Sequence, residues 1–276
     1  MVIARQEILK RLRGQIAAGK PIIGTGAGTG ISAKFEEAGG SDLIIIYNSG
    51  RYRMAGRGSL AGLMAYGDAN AIVMEMGNEV LPIVKHTPVL AGVNGTDPFR
   101  MMPYFLQQIK AMGFSGVQNF PTVGLFDGKM RLNLEATGMG YDKEVDMIRA
   151  AHDLDLFTSP YVFTVEEAQA MVNAGGDLIV AHMGLTVAGS IGASDALTLD
   201  EAIDTVMSIA EGVWSIDKER LVICHGGPFD EPKNVGYALG KMPKIAGFYG
   251  ASSAERLPIE KAIKTQVATF KGLKLV

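Results

Sequence analysis

The strongest constraint on this chain is a repeat of pattern rather than of sequence: a short aliphatic run, a glycine-rich or polar corner, then an amphipathic segment. Eight such runs occur: "PIIGTG" (21–26), "DLIIIYN" (42–48), "PVLAGVNG" (88–95), "GVQNFPT" (116–122), "LFTSPYVF" (156–163), "DLIVAHMG" (177–184), "RLVICHGG" (220–227) and "KIAGFYG" (244–250). Between them lie stretches with helical spacing, such as "PFRMMPYFLQQIKAMG", "VEEAQAMVNAGG", "LDEAIDTVMSIAEGVW" and "AERLPIEKAIKTQVATFKG". The phrases "FEEAGGSD", "KAMGFSG" and "MVNAGGDL" place glycine where a helix stops in the left-handed conformation just before the next strand. Such alternation requires right-handed crossovers and a parallel sheet buried on both faces. Eight units of this kind close as a (β/α)8 TIM barrel. The competing architecture, an open doubly wound sheet, accommodates fewer units comfortably.

The 276 residues suit one barrel, and no low-complexity linker divides them, so residues 1–276 are expected to form a single domain. Segment 3–18 precedes the first strand and is expected to be an extra helix that caps the barrel bottom or packs on another subunit. The stretch 123–143 is the longest βα connection and a candidate lid.

A formal charge of -3 creates no field that would hold a polyanion, which argues against general nucleic-acid binding. One cysteine, Cys224, excludes an internal disulfide and fits a reducing compartment. The start, "MVIARQEILKRLRGQIAAG", interrupts its apolar pattern with charges, unlike a signal peptide. No stretch approaches the roughly 18 apolar residues of a membrane span. The expected location is the cytoplasm.

In a barrel the chemistry lies where strands end and βα loops converge on one mouth. The strand-end residues are Thr25 and Gly26, Asn48 and Ser49, Asn94, Asn119, Ser159, His182, His225 and Tyr249. His182 and His225 occur at matching places, "IVAHMG" and "VICHGG". Because a strand alternates its faces, an inward His225 brings Ile223 and Leu221 inward and sends Cys224 toward the helices, and the same register turns His182 inward with Val180. Imidazoles suit general acid–base work, although a strand-end histidine can equally serve to hydrogen-bond a neighbouring loop. Cys224 is expected to be a packed, inert thiol.

Three glycine-rich corners follow strands one, seven and eight: "GTGAGTGIS" (24–32), "HGGPF" (225–229) and "YGASSAER" (249–256). Glycine lets backbone N–H groups approach an anion, and the loops after strands seven and eight form the recurrent phosphate site of these barrels. Gly226, Gly227, Gly250, Ala251, Ser252 and Ser253 are therefore the phosphate-cradle candidates. The first corner reads GxGxG rather than GxGxxG, and strand two ends in Asn48 rather than an acid, so nicotinamide binding is not expected.

Just past strand two, "IIIYNSGRYRMAGRGSLAG" carries Arg51, Arg53 and Arg57 with no acid among them. Guanidinium groups pair bidentately with carboxylate or phosphate, so Arg51 and Arg53 are candidates to hold an anionic small molecule; a solvated loop or a subunit contact is the alternative. Metal candidates are weak. Asp97 equally suits a helix cap, and Glu135 would have to swing in from the long fourth loop.

The stretches "GTGAGTGISAKFEEAGGSDLIIIYNSGRYRMAGRGSLAGLMAYGDAN", "VLAGVNGTDPFR", "GFSGVQNFPTVGL", "NLEATGMGYDKEVDMI", "SPYVF", "VAHMGLT", "CHGGPF" and "GFYGASSAERLP" resemble the phosphoenolpyruvate hydrolase-like family, whose members have been described as TIM-barrel signal transduction proteins. The barrel of the plant tobamovirus-resistance protein is similar. The resemblance spans essentially the whole chain and implies a barrel of the phosphoenolpyruvate/pyruvate-binding type, a class that commonly forms homo-oligomers. Enzymes of that wider class hold Mg2+ with strand-end acids, whereas strand three here offers Asn94 and only then Asp97.

Two functions follow as expectations. One is a hydrolase or carbon–carbon lyase acting on phosphoenolpyruvate or a related 2-oxo or phosphono acid. In it Arg51, Arg53, Ser49, Thr25 and Gly26 take part in substrate binding, His182 or His225 moves protons, and Asn94 and Asn119 donate to a developing enolate. The other is a non-catalytic sensor of a small ligand, or a signalling module, built on the same barrel; gripping a protein or an RNA element is a third.

Overall fold

The structure, a computed structural model, describes residues 2–194 and 196–275. Among these described residues nine strands form one sheet: β1 (Ile22–Ala27), β2 (Leu43–Ile46), β3 (Val89–Gly92), β4 (Gly116–Gln118), β5 (Phe157–Thr158), β6 (Tyr161–Val162), β7 (Leu178–His182), β8 (Leu221–His225) and β9 (Gly247–Gly250). Their order is β5-β4-β3-β2-β1-β9-β8-β7-β6, with every pairing parallel. The list begins and ends on two halves of one extended run joined by Ser159 and Pro160. Ser159 N donates to Val117 O at 3.0 Å on one side, while Val180 N donates to Pro160 O at 2.9 Å on the other. That run therefore closes the ring, and the eight aliphatic runs of the sequence become nine strands because one of them divides its pairing between two neighbours. Closure excludes the open doubly wound sheet.

The helices are α1 (Arg5–Ala17), α2 (Gly30–Ala38), α3 (Asn48–Met54), α4 (Ala69–Val80), α5 (Met102–Met112), α6 (Gly128–Ala136), α7 (Tyr141–Asp153), α8 (Val165–Asn173), α9 (Leu199–Ile216), α10 (Pro232–Lys241) and α11 (Arg256–Lys271). The expected lid over 123–143 is mostly regular structure, a short 3-10 turn at Val123–Leu125 followed by α6. Sequence spacing missed it because α6 has no buried residue and hence no apolar stripe to read.

Strand alternation separates two cores. Leu221, Ile223, Val180, Ile45 and Tyr249 fill the barrel interior, whereas Val222, Cys224, Ala181 and Ile46 pack against the helices. Cys224 is fully buried on the outer side, and burial pushes its thiol up to about 12, which leaves it inert. Helix α1 contributes Ile8, Leu9 and Leu12 to the interior cluster, so it plugs one end of the barrel. The interior is filled in part by two tyrosines that need room beside the neighbouring strands. A Cβ added at Gly24 would lie 2.1 Å from the Tyr249 ring, and one at Gly92 would lie 2.3 Å from the Tyr47 Cβ.

Candidate active site

At the other end of the barrel the strand ends and βα loops enclose a cavity of about 160 Å³. Tyr47, Ser49, Phe120, Tyr161, His182, His225, Ala251, Ser252 and Arg256 line it, and Leu185, Thr186 and Ile191–Ala193 contribute from the loop between β7 and α9. His182 and His225 are the last residues of β7 and β8 and are paired in register. Both therefore turn inward at one level, with ring centroids 4.6 Å apart at an interplanar angle of 71°. Tyr161 packs against both, 4.8 Å edge-on to His182 and 5.0 Å stacked on His225.

Backbone partners give the two imidazoles opposite tautomers. Gly184 N donates to His182 Nδ1 at 3.0 Å, so the His182 proton sits on Nε2. His225 Nδ1 lies 2.7 Å from Tyr249 O, and a carbonyl only accepts, so Nδ1 carries the His225 proton and Nε2 keeps its lone pair. Burial, with His225 adjacent, holds His182 well below the ordinary imidazole range. Burial likewise lowers His225 to about 4, with the Arg53 charge adding to the effect. At neutral pH the pair is uncharged, with one donor and one acceptor left over from its backbone contacts.

The arginine-bearing stretch is organised differently from expectation. Helix α3 begins at Asn48 directly after β2, so Arg51 and Arg53 lie on a helix, about 200° apart around its axis. Arg53 is buried, with Nε 2.8 Å from Glu255 Oε2 and Nη2 2.7 Å from Gly26 O. Glu255 Oε1 in turn accepts from Gly28 N at 2.7 Å. Arg53 thus ties α3 and β1 to the loop before α11 instead of reaching a ligand. Arg51 faces outward and pairs with Glu75 of α4 at 2.8 Å, and exposed Arg57 donates to the carbonyls of Ala55 and Gly56. None of the three lines the cavity.

Other candidates divide in the same way. Ser49, Ala251 and Ser252 line the cavity. Thr25 faces outward, donating to Glu36 Oε2 at 2.9 Å, and Gly26 spends its carbonyl on Arg53. Gly226 and Gly227, at φ 80° and 53°, wrap behind His182, where Gly227 N donates to Gly184 O. Gly250 ends β9 and Ser253 sits in the turn beyond it, both outside the lining.

Asn119 is consumed by structure: it donates to Glu144 Oε2 at 2.6 Å and to Tyr161 O at 3.1 Å, and it accepts from Tyr161 N at 2.7 Å. Burial raises Glu144 to about 8 despite the hydrogen bonds it receives from Val123, Thr122 and Asn119. Asn94 and Asp97 line a separate cavity of about 390 Å³ with Asp68 and Arg100. There Asp97 accepts from Asn70, Phe99 and Arg100, which marks it as a brace for the loop. Glu135 lies on α6, paired with Arg131.

Sequence reasoning passed over Tyr47, Tyr161 and Arg256. The tyrosines sit at inward strand positions that alternation does identify. Arg256 follows "YGASSAE" by one residue, and its role depends on a loop far away in sequence that carries no local signal.

The Mg2+ implied by the family resemblance does not fit this donor set. Mg2+ takes oxygen ligands, carboxylates above all, and none of the described residues that line the histidine cavity is a carboxylate. Among the described residues no three His, Cys, Asp or Glu groups gather as a metal site. The two metal candidates, Asp97 and Glu135, are engaged by arginines away from that cavity.

A family model described as phosphoenolpyruvate hydrolase-like matches residues 7–273. The ToMV resistance protein Tm-1(GCR237) of Solanum lycopersicum is 60% identical over 98% of this chain and 36% of its own length. The ToMV susceptible protein tm-1(GCR26) of the same plant is also 60% identical, over 97% of this chain and 36% of its own. The chain thus spans about a third of the length of these relatives. Among solved structures, a phosphoenolpyruvate phosphomutase from Streptomyces platensis subsp. rosaceus superposes with a TM-score of 0.61 at 15% identity, over 95% of this chain and 87% of that one. A phosphonopyruvate hydrolase in complex with oxalate and Mg2+ gives 0.59 at 15% identity, over 96% and 87%. At such identity these two likenesses establish the shared fold.

Proposed function

The chain belongs to the phosphoenolpyruvate hydrolase-like family, and from that premise we propose that its histidine-lined mouth acts on a small anionic substrate, phosphoenolpyruvate or a related 2-oxo or phosphono acid, by hydrolysis or carbon–carbon cleavage. The observation that carries this reading is the pair of opposed tautomers at one cavity. His225 Nε2 can accept a proton from a water or a substrate hydroxyl. His182 Nε2–H can donate to an oxygen that gains charge as the bond breaks. A bound anion beside the rings raises their basicity, which brings His225 toward the range a general base needs. Ser252 and Ala251 are the proposed contacts for the anionic groups, while Ser49, whose hydroxyl donates to Ser59 O, and Gly226 and Gly227 behind His182 shape the wall.

A second reading, a barrel that senses a small acid without transforming it, draws support from the lack of a carboxylate among the described residues that line the cavity. A panel of phosphorylated and 2-oxo acids, assayed with and without Mg2+, separates the two. Turnover that falls by about 10²–10⁴ in His225→Ala supports the enzyme. Saturable binding without turnover supports the sensor, and neither binding nor turnover rejects both.

A further inference from the structure

An anion entering a buried cavity needs a compensating positive charge, and none of the described residues lining this one is a carboxylate that could hold a divalent cation. We infer that the mouth takes its anionic ligand, of the oxalate or 2-oxo acid class, without a divalent metal, and that Arg256 is the fixed positive charge that receives it. This rests on the reading of the mouth proposed above and adds to it a binding residue and an independence from metal.

Arg256 lines the same cavity as His182, His225 and Ser252, yet it is only 5% exposed. Its guanidinium is held from two sides, Nη1 to Glu260 Oε1 at 3.0 Å and Nη2 to Ala188 O at 3.1 Å. A Cβ added at Gly189 would come within 2.2 Å of Nη1, so the backbone of the β7–α9 loop packs directly on the charged group. Glu260 also accepts from Ser190 N and Ser190 Oγ, which fixes that loop to α11. The charges are unequally screened: the Glu260 side chain is 29% exposed and that of Arg256 is 5%. Water therefore attenuates the carboxylate more than the guanidinium.

The strand end that could have supplied a metal ligand is blocked. The inward position at the end of β3 is Gly92, where any side chain would strike the Tyr47 Cβ at 2.3 Å and the Phe120 carbonyl oxygen at 3.0 Å. Asn94, two residues on, opens into the other cavity. The remaining compensation for a dianion is a proton, drawn from buffer and held by the His182–His225 pair, so binding is accompanied by proton uptake instead of metal uptake.

The test is calorimetric titration of oxalate into the full chain, first with EDTA and then with millimolar Mg2+, together with a separate titration of Mn2+ followed by its electron paramagnetic resonance. The expected result is an oxalate Kd unchanged within about twofold between the two conditions, with no stoichiometric Mn2+ site. Arg256→Met is expected to weaken oxalate about 10- to 100-fold in both conditions, and Arg256→Lys to recover part of that loss. Oxalate that binds only with Mg2+ overturns metal independence while leaving the anion mouth intact, and so does a stoichiometric Mn2+ site linked to oxalate. Full affinity in a folded Arg256→Met, shown by an unchanged circular dichroism melt, overturns the role of Arg256. Oxalate that binds under neither condition rejects the anion-mouth reading, and this inference with it.

Discussion

Arg51 and Arg53 are two residues apart and chemically identical, yet their removal should have very different consequences. Arg53 and Glu255 are each 2% exposed, and their pair is closed by a 2.8 Å hydrogen bond. Arg53→Met strands the Glu255 carboxylate next to Glu36, which burial and Glu255 already push up to about 7. Breaking a buried pair by removing one partner costs about 3–5 kcal/mol. Arg51 pairs with Glu75 at side-chain exposures of 35% and 69%, and such surface pairs contribute about 0.2–1 kcal/mol. Urea unfolding followed by circular dichroism, with linear extrapolation, gives both values. The double variant Arg53→Met/Glu255→Gln should be more stable than Arg53→Met alone, because it removes the stranded charge and keeps an acceptor for Gly28 N. A loss below about 1 kcal/mol for Arg53→Met, or equal losses at the two arginines, would refute the buried-tie account.

Other expectations concern the histidines, the interior glycines and assembly. The unfolded His225 ring takes a proton below about pH 6.5, the folded one only near 4, so its contribution to stability is intact above pH 6.5 and is lost as pH falls toward 4. By linkage that loss is about 3 kcal/mol. Comparing unfolding free energies of the protein and His225→Gln from pH 7 to 4 isolates it from Glu36 and Glu144, which titrate in the opposite sense; parallel pH profiles would contradict it. Oxalate affinity should rise as pH falls from 7.5 to 5.5, because anion binding draws a proton onto the pair, and a flat profile by calorimetry would count against that coupling. Gly24→Ala should destabilise the barrel by about 1–3 kcal/mol, since its methyl would meet the Tyr249 ring at 2.1 Å; unaltered thermal unfolding would show that the ring moves freely. The homo-oligomer that the family resemblance implies predicts a dimer or larger species by light scattering; a monomer at micromolar concentration would reject it.

The barrel was legible because its signal is local and redundant. Strands β2 to β9 each fall within one of the aliphatic runs and β1 outruns its own only by Ala27, and the alternation that placed Ile223 inside and Cys224 outside needed only the period of a strand. The paired histidines could be read for the same reason, since both end their strands. The arginines could not be read reliably, because "NSGRYRM" reads as a loop whereas its seven residues form α3, which turns Arg51 and Arg53 to opposite sides. Asn94 and Asn119 stand at strand ends as expected, but the Asn94 backbone is bonded to Asn70 and its Oδ1 accepts from Thr96, while the Asn119 amide donates to Glu144 and Tyr161. Pairings across 25 or more positions, such as Asn119 with Glu144 or Arg53 with Glu255, leave no trace in spacing. Arg256 was hidden for that reason too: its bond to Ala188 spans 68 positions.

The opposed tautomers of His182 and His225 are open to direct observation by long-range 1H–15N correlation of the imidazole nitrogens at pH 7, with His182→Gln and His225→Gln supplying the assignments. The account predicts a protonated Nε2 and a bare Nδ1 on His182, and a protonated Nδ1 with a bare Nε2 on His225. Identical tautomers on the two rings, or an imidazolium signal from either at neutral pH, would contradict it.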